Sequence, residues 1–400
     1  MIFKLDMVHT IALAVVLLLL GELLVRKIKF LSKYCIPAPV VGGLMFSILA
    51  LILRQTVAVN FEMDTTLQTF TMTMFFTSVG FSASFGLLKK GGVKVFLFLG
   101  AAVGLVVFQN ILGVGLAKLL NLNPLLGLVT GSIPMTGGHG TAGAFGPFIE
   151  NSGVAGANSI AIAAATFGLV AGSMIGGPTG KRLIEKHGLS EIKNVRSEVH
   201  VITEEAVEDN PQLLVPKKIY SATFLILIAM GLGTIVSSIL QKTGAIFPAY
   251  IGAMLIGAVI RNISESTKLF DTPMTEVNIV GGISLSLFLS MALMTLKLWE
   301  LADLAIPFLI MVVAQVILVY FFANYITFNL MGRDYDAAIL SAGHCGFGLG
   351  ATPNGVAVMD SVTLSYGPSP LAFFVLPLIG SLFIDFINSG IITVFLNILG

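Results

Sequence analysis

The chain has 400 residues, of which 56% are hydrophobic and only 11% are charged, and its mean hydropathy is +0.96. These values exclude a soluble protein and predict a membrane protein. The 22 Lys and Arg residues nearly balance the 21 Asp and Glu residues, so the net charge of +1 leaves no basic surplus for a nucleic-acid partner. The two cysteines, Cys35 and Cys345, fit no disulfide or zinc pattern, and we expect both to be free thiols.

Ten apolar runs are long enough to cross about 30 Å of hydrocarbon, which takes roughly 20 helical residues. The predicted spans lie at about 8–25, 36–53, 65–87, 93–119, 154–178, 219–240, 247–263, 277–298, 303–329 and 370–398. The first run lacks a small-residue cleavage site, so we expect an anchor and not a removed signal peptide. Two further segments, 125–149 and 336–360, are apolar but crowded with Gly, Pro, Ser, Thr and His. We expect these two to be re-entrant, because irregular backbone survives at membrane depth only against protein or water.

The distribution of basic residues sets the predicted orientation. If the N-terminus is outside and each re-entrant segment returns to its own side, the inner loops hold 17 of the 22 Lys and Arg residues, as the positive-inside rule requires. Both termini are then outside. The hydrophilic stretch 181–217 lies in the cytoplasm between the halves 1–180 and 218–400. We interpret it as a flexible linker, with a regulatory module as the alternative.

The two halves resemble each other. The string IPAPVVGG at 36–43 recurs as FPAYIGAM at 247–254, and the Gly-rich segment near 131–145 recurs near 342–356, both at an offset of about 211 residues. Each half has five spans, and because five is odd, the halves insert with opposite topology. Inverted repeats with interrupted segments are typical of secondary transporters, whose central site alternates between the two sides.

The two Gly-rich loops carry the predicted site. Their sequences are GSIPMTGGHGTAG at 131–143 and SAGHCGFGLGATPN at 341–354. Glycines let a ligand approach the backbone, whose free N–H groups at a helix start favour an anion and whose free carbonyls at a helix end favour a cation. No Lys or Arg lies in the middle of a span, so an anionic substrate needs loop N–H groups, hydroxyls and co-transported cations. The candidate substrate-binding residues are Thr136, Gly137, Gly138, His139, Gly140, Thr141, Gly346, Gly348, Gly350, Ala351, Thr352 and Asn354.

Four long strings resemble the sodium/glutamate symporter family: GGHGTAGAF at 137–145, ISLSLFLSMALMTLKLWELA at 283–302, DAAILSAGHCGFGLGATP at 336–353 and GPSPLAFFVLPLIGSLFIDFIN at 367–388. The resemblance covers nearly the whole chain and is weakest in the central hydrophilic loop. It implies uptake of glutamate with Na+ across a bacterial inner membrane, by a homodimer related in fold to elevator-type citrate transporters. The predicted fold class is therefore an all-α polytopic membrane protein of two inverted five-helix repeats, each with a Gly-rich re-entrant hairpin.

Asp385 is the ionisable residue set deepest in an apolar run, and at mid-helix an Asp costs roughly 2.5 to 3.5 kcal/mol. Asn388 lies one turn further on, so carboxylate and amide oxygens share a helix face and suit Na+ or the substrate ammonium group. Ser132 and Gly343 in the two loops complete the candidate Na+ ligands. An Asp that is satisfied by neighbouring helices and purely structural is the alternative.

Several other residues have structural interpretations. The stripe of Gly168, Gly172 and Gly176 predicts close helix packing. Amide side chains inside the spans predict hydrogen bonds between helices; they are Gln109, Asn110, Gln315 and Asn324. Three serines of the eighth span are candidates to line the substrate path: Ser284, Ser286 and Ser290.

Other functions remain open on the residues alone. Protonation of His139 and His344 would make H+ the coupling ion, although we expect both to be neutral and hydrogen-bonded. Aspartate or a citrate-like carboxylate could replace glutamate, and Gly-rich re-entrant loops also build channel filters. An intramembrane hydrolase has only the short string His139-Gly140-Thr141 in its favour, so we predict no enzyme activity.

Overall fold

The computed structural model describes residues 2–33, 36–57, 59–86, 92–189, 216–242, 248, 250–299 and 304–399. Cys35 and most of the predicted linker lie outside the described residues. Apart from one small sheet, the described elements are helices. They are α1 Met7–Lys27, α2 Lys29–Lys33, α3 Ala38–Val57, α4 Thr66–Ser82, α5 Gly92–Leu119, α6 Pro124–Leu128, α7 Gly138–Asn151, α8 Ala157–His187, α9 Pro216–Gln241, α10 Tyr250–Thr267, α11 Met274–Met294, α12 Ala305–Leu330 with a π-helical stretch at Phe322–Thr327, α13 Tyr335–Gly348, α14 Thr352–Tyr366, α15 Pro370–Leu382 and α16 Ile384–Leu399.

The described helices match the predicted spans in order and position. Seven of them (α1, α3, α5, α8, α9, α11 and α12) are long and apolar enough to cross a membrane, and the bent pair α15 and α16 makes an eighth. The third and seventh predicted spans correspond to α4 and α10, which have only 17 and 18 residues. The chain is therefore a polytopic membrane protein.

A two-stranded parallel sheet interrupts the expected all-α fold. Strand β1, Ile2–Leu5, pairs with strand β2, Asn60–Met63, which the chain reaches after α1 and α3. The carboxylate of Asp6 then caps α1 by accepting hydrogen bonds from its first-turn N–H groups, and the bonds from His9 hold the pKa of Asp6 below its usual value. We found no alternating pattern of hydrophobic residues that predicts these short strands.

Contacts between distant segments agree with the predicted grouping of loops. Each joins two segments that the sequence places on the same side of the membrane. At the predicted inner end the pairs are Lys94–Asp334 (3.2 Å) and Ser84–Glu265 (2.6 Å), and at the outer end they are Lys4–Glu62 (3.1 Å), Lys297–Glu150 (3.3 Å) and Arg54 over the Trp299 ring (3.7 Å).

The glycine stripe of α8 packs as predicted. A Cβ at Gly168 would lie 2.3 Å from the carbonyl oxygen of Leu349, and a Cβ at Gly176 would lie 2.5 Å from a methyl group of Val358. A Cβ at Gly172 would lie 2.9 Å from the carbonyl oxygen of Cys345 in α13. The stripe therefore lets α8 lie directly against the α13–α14 segment, which confirms the packing interpretation.

We expect Gly176→Ala to lower the thermal stability of the purified protein. The added methyl group meets Val358, and overpacking of this kind costs about 1 to 3 kcal/mol. The neighbouring Gly177 is the matched control, because among the described residues a Cβ there meets only the Ser361 hydroxyl, at 3.8 Å. Gly177→Ala should be neutral or stabilise by about 1 kcal/mol through helix propensity. Equal melting temperatures for both variants would contradict the packing role of the stripe.

Candidate functional site

The first Gly-rich segment is broken in the middle. The short helix α6 is followed by a series of turns, and α7 begins at Gly138, whose φ of +59° is in the left-handed region that favours glycine. A Cβ at Gly138 would lie 2.6 Å from the carbonyl oxygen of Gly350 in the other Gly-rich segment. The tips of the two segments are therefore in direct contact.

The second segment is a helical hairpin. Helix α13 ends at Gly348, and α14 begins at Thr352 with Pro353 in its first turn, where a missing N–H costs nothing. The first helical bond of α14 runs from the Gly355 N–H to the carbonyl of Ala351 (3.1 Å), and that of α7 runs from the Thr141 N–H to the carbonyl of Gly137 (3.3 Å).

The ends of these two segments that lie away from their contacting tips are at opposite ends of α8. At its start, the N–H of Asn158 donates to the Glu150 carboxylate at the end of α7 (3.1 Å). Near its other end, Glu185 accepts a hydrogen bond from the Tyr366 hydroxyl at the end of α14 (2.9 Å). Because α8 has 31 residues, these contacts are separated by roughly 40 Å. The two segments thus extend in opposite directions from the point where their tips meet.

A cavity of about 380 Å³ lies at this meeting point, within the range of roughly 300 to 1,000 Å³ that is typical of small-molecule sites. The described residues that line it are Pro37, Pro39, Phe75, Thr136, Gly137, Gly138, His139, Gly140, Leu169, Leu285, Ser286, Leu289, Phe347, Ala351, Thr352, Pro353, Asn354, Gly380, Ser381 and Asp385. None of these is Lys or Arg, and Asp385 is the only acidic residue among them.

The starts of α7 and α14 give the cavity its electrostatic character. Gly138 and Thr352, the first residues of these helices, both line it. The first-turn N–H groups of a helix have no partner within the helix, and the helix dipole adds about half a positive charge there. Two helix starts at one cavity therefore favour an anionic ligand in the absence of a basic side chain.

The last predicted span is broken at Phe383, where α15 and α16 meet at an angle of 46°. The expectation that Asp385 lies at mid-helix was therefore wrong: it is in the first turn of α16, where the helix dipole stabilises a carboxylate. Asp385 lines the cavity together with Ser381 and Gly380 of α15. A break next to the cavity explains how an acidic residue in an apolar run reaches a polar site.

Two further candidate Na+ ligands lie together. The hydroxyl of Ser132 donates to Oδ1 of Asn388 (2.7 Å), and Nδ2 of Asn388 donates to the Ser132 carbonyl (3.2 Å). Both side chains are fully buried. The fourth candidate, Gly343, packs against side chains of α14 and α15, and like Ser132 and Asn388 it does not line the described cavity.

Eight of the twelve candidate substrate-binding residues line the cavity: Thr136, Gly137, Gly138, His139, Gly140, Ala351, Thr352 and Asn354. The remaining four, Thr141, Gly346, Gly348 and Gly350, are behind them in the same two segments. The amide of Asn354 is already occupied, because it accepts from Ser173 (2.5 Å) and donates to the carbonyls of Leu169 (3.1 Å) and Gly346 (3.0 Å).

Buried amides hold the two segments together. The side-chain amide of Gln109 in α5 accepts a hydrogen bond from the Thr136 hydroxyl (2.7 Å) and donates one to the Gly348 carbonyl (2.7 Å). The backbone carbonyl of Gln109 accepts a hydrogen bond from the side chain of Gln315 in α12 (2.8 Å). Asn110 accepts from the backbone N–H of Ser132 (2.9 Å). The bonds of Gln109 and Gln315 confirm the prediction of hydrogen bonds between helices, whereas Asn110 bonds to the turn that precedes α7. For Asn324 the prediction was wrong, because the side chain donates its hydrogen bond to the Tyr320 carbonyl in the same helix (2.7 Å).

Both loop histidines are buried and hydrogen-bonded, as expected. A ring nitrogen of His139 lies 3.0 Å from the Thr166 hydroxyl, and one of His344 lies 2.8 Å from the Thr327 hydroxyl. Cys345 is a free, buried thiol 3.8 Å from Thr179. His139 lines the cavity and His344 does not, so the two are not a pair within one site.

The sequence missed some residues of the site. Pro37 and Pro39 belong to the repeated string IPAPVVGG, which we interpreted only as a marker of the repeat. A proline-rich helix start next to a repeat boundary was the available signal. The apolar wall formed by Phe75, Leu169 and Phe347 carries no sequence signal that separates it from ordinary core.

Membrane-spanning helices around a cavity built from two broken segments are typical of a secondary transporter. A family model described as "Sodium/glutamate symporter" matches residues 3–368. The chain is 41% identical over 395 residues to the sodium/glutamate symporter of Escherichia coli (strain K12), covering 98% of both chains. It is 40% identical over 389 residues to that of Haemophilus influenzae, covering 96% of both. The chain belongs to the sodium/glutamate symporter family, which is a family of transporters and not of enzymes.

Proposed function

We propose that this protein takes up glutamate together with Na+ as a secondary active transporter that works by alternating access. The observation that carries the proposal is the cavity between the starts of α7 and α14, in a chain whose relatives are named sodium/glutamate symporters. Helix-start N–H groups and the hydroxyl of Thr352 offset the charge of the substrate carboxylates, whereas the Thr136 hydroxyl already donates to Gln109 and positions the first segment. Asp385 is the one acidic group of the described cavity lining that can face the substrate ammonium group or a cation.

Coupling to a cation follows from the charges of the cavity and of the substrate. Glutamate carries about one net negative charge, and moving one charge against 100 mV costs about 2.3 kcal/mol. The described lining has no fixed cation to offset this charge, so a cation has to accompany the substrate, and the family relationship identifies that cation as Na+. At least two Na+ per glutamate make the membrane potential favour uptake, whereas a single Na+ would make it electroneutral.

The Na+ ligands that we propose are Asp385, Asn388 and Ser132. Their oxygens suit a hard cation, and the Ser132–Asn388 pair joins the first hairpin to the helix that begins beside Asp385. Support for Gly343 is weaker, because it packs among apolar side chains. His139 and Asn354 act in shaping the cavity through their hydrogen bonds to α8.

We further propose that the halves 1–180 and 218–400 are inverted repeats whose hairpins, 125–149 and 336–360, enter the membrane from opposite sides. The contacts of the two hairpins at opposite ends of α8 support this arrangement. Outward-facing termini, a cytoplasmic linker and an inner-membrane location fit the positive-inside bias of the loops, although the predicted linker 181–217 is helical at its start, because α8 continues to His187. The family resemblance supports a homodimer that moves its substrate domain as an elevator.

We expect purified protein in liposomes to accumulate labelled glutamate when Na+ is high outside. Because two or more Na+ import net positive charge, an inside-negative potential of 100 mV should raise accumulation by about 50-fold, the equivalent of about 2.3 kcal/mol. The assay compares a Na+ gradient with a H+ gradient, and labelled glutamate with labelled citrate. Equal uptake without Na+, preference for citrate, or equilibration without accumulation would each contradict Na+-coupled glutamate symport.

A further inference from the structure

A second polar cavity, of about 220 Å³, lies between the last turns of α8 and α12, far from the transport cavity. The described residues that line it are Arg182, Leu183, Lys186, His187, Asn324, Tyr325, Phe328, Asn329 and Arg333. Two arginines and a lysine face it, and none of its described lining residues is Asp or Glu. The cavity is therefore strongly cationic, at the end of the bundle that the basic loops place inside.

The carboxylates closest to this basic cavity in the chain are engaged elsewhere. Glu185 pairs with Lys181 (3.8 Å) and accepts a hydrogen bond from Tyr366 (2.9 Å), and Asp334 pairs with Lys94 (3.2 Å). Within the cavity, Arg333 donates from Nε to Asn329 (2.7 Å), which leaves its terminal nitrogens for a ligand, and Arg182 donates to the Tyr320 hydroxyl. Arg182 and Arg333 are thus held by neutral partners, and no carboxylate of the described residues pairs with them.

An apolar groove of about 210 Å³ continues from the basic cavity along α12. It is lined by Phe108, Leu318, Phe321, Phe322, Tyr325 and Ile326, so Tyr325 belongs to both features. The groove opens to the outside of the bundle, since Phe108 and Phe321 are each 50% exposed and Tyr325 is 57% exposed. From Leu318 to Ile326 it extends about 12 Å along the helix, toward the middle of the membrane.

We propose that the basic cavity and the apolar groove together bind an anionic glycerophospholipid. The phosphate is held by Arg182, Lys186 and Arg333, and an acyl chain lies along the groove, with Tyr325 at the boundary between the two. The charge of the cavity and the position of both features in the membrane favour an anionic lipid. The basic groups are at the helix ends, where lipid headgroups lie, and the groove extends from there into the hydrocarbon. A soluble anion would use the cavity but not the groove.

The test measures the melting temperature of the full-length protein in neutral detergent while phosphatidylglycerol is titrated in. The triple variant R182Q/K186Q/R333Q should need more phosphatidylglycerol for half-maximal stabilisation, by about fivefold for each basic side chain removed. The matched control, K181Q/K217Q/K218Q, removes three charges outside the described cavity lining and should titrate like the unaltered protein. Leu318→Trp should weaken the effect by filling the groove. Lys186→Gln alone carries the test if the triple variant does not fold, because this side chain is exposed.

Four outcomes would overturn the lipid site. Phosphatidylcholine with the same acyl chains could stabilise the protein as well as phosphatidylglycerol does, which would remove the role of charge. Glycerol phosphate or inorganic phosphate alone could reproduce the shift, which would indicate a soluble-anion site. The control variant could lose as much stabilisation as R182Q/K186Q/R333Q. Finally, light scattering could show that R182Q/K186Q/R333Q halves the mass of the particle, which would make this face an interface with a second copy. All of these readouts are independent of glutamate transport.

Discussion

Replacing Gly138 with alanine is expected to abolish glutamate uptake while leaving the protein inserted in the membrane. The residue has a φ of +59°, which costs alanine about 1 to 2 kcal/mol, and the new Cβ would lie 2.6 Å from the Gly350 carbonyl oxygen. The tips of the two hairpins then have to separate. Because a displacement of about 1 Å at a site can cost roughly 100-fold in rate, we expect uptake to fall by at least about that factor.

Gly188→Ala is the matched control for backbone strain. Its φ of +63° is almost the same, but a Cβ at this position meets no atom of the described residues within 4 Å. Uptake of labelled glutamate, normalised to the amount of protein in the membrane, should be close to that of the unaltered protein. Substantial uptake by Gly138→Ala, or an equal loss in both variants, would show that contact between the hairpin tips is not required for transport.

The second large effect is expected from Asp385→Asn. If the carboxylate binds co-transported Na+, the Na+ concentration for half-maximal uptake should rise by at least about 10-fold, since even outer-shell partners of a metal are worth about 10- to 100-fold in affinity. The variant keeps the size and most hydrogen bonding of the side chain and removes its charge. Asp360→Asn makes the same change at an exposed position of α14 outside the described cavity lining and should leave the Na+ dependence unaltered.

The Asp385 variant also separates two roles for the carboxylate. A rise in the KM for glutamate with an unchanged Na+ dependence would assign it to the substrate ammonium group. Changes in neither quantity would remove Asp385 from the site and leave it as a structural residue. Stability of the purified variant, measured in parallel, identifies a loss that comes from unfolding.

The sequence predicted the spans and the site segments because their physical signals are local. Long apolar runs define the helices, and glycines with interleaved Pro and Thr mark both breaks, at Gly138 and at Thr352. Hydrogen bonds of the buried amide side chains could also be predicted, since a polar side chain in a membrane span needs a partner. Which partner it finds depends on tertiary geometry, as the bond of Asn324 within its own helix demonstrates.

The break at Phe383 could not be predicted, because it lies in a continuous apolar run with no glycine or proline at the break itself. Its context is tertiary: a Cβ at Gly380 would lie 2.3 Å from the Thr352 hydroxyl, so α15 meets the tip of the second hairpin just before the chain bends. The same holds for the apolar wall of the cavity. Phe75 and Leu169 line it only because their helices pack around the hairpin tips.

The most direct measurement introduces a cysteine at Ala351, a cavity-lining residue at the tip of the second hairpin, and tests whether bound glutamate and Na+ protect it from chemical labelling. Cys35 and Cys345 are first replaced, so that the introduced cysteine is the only thiol. The rate at which a soluble maleimide labels it is then measured with and without glutamate and Na+. A cysteine at Ser152, an exposed residue at the end of α7, is the control. We predict that glutamate with Na+ slows labelling at position 351 and not at 152. An unchanged rate at 351 in a variant that still transports would contradict the placement of the cargo between the hairpin tips.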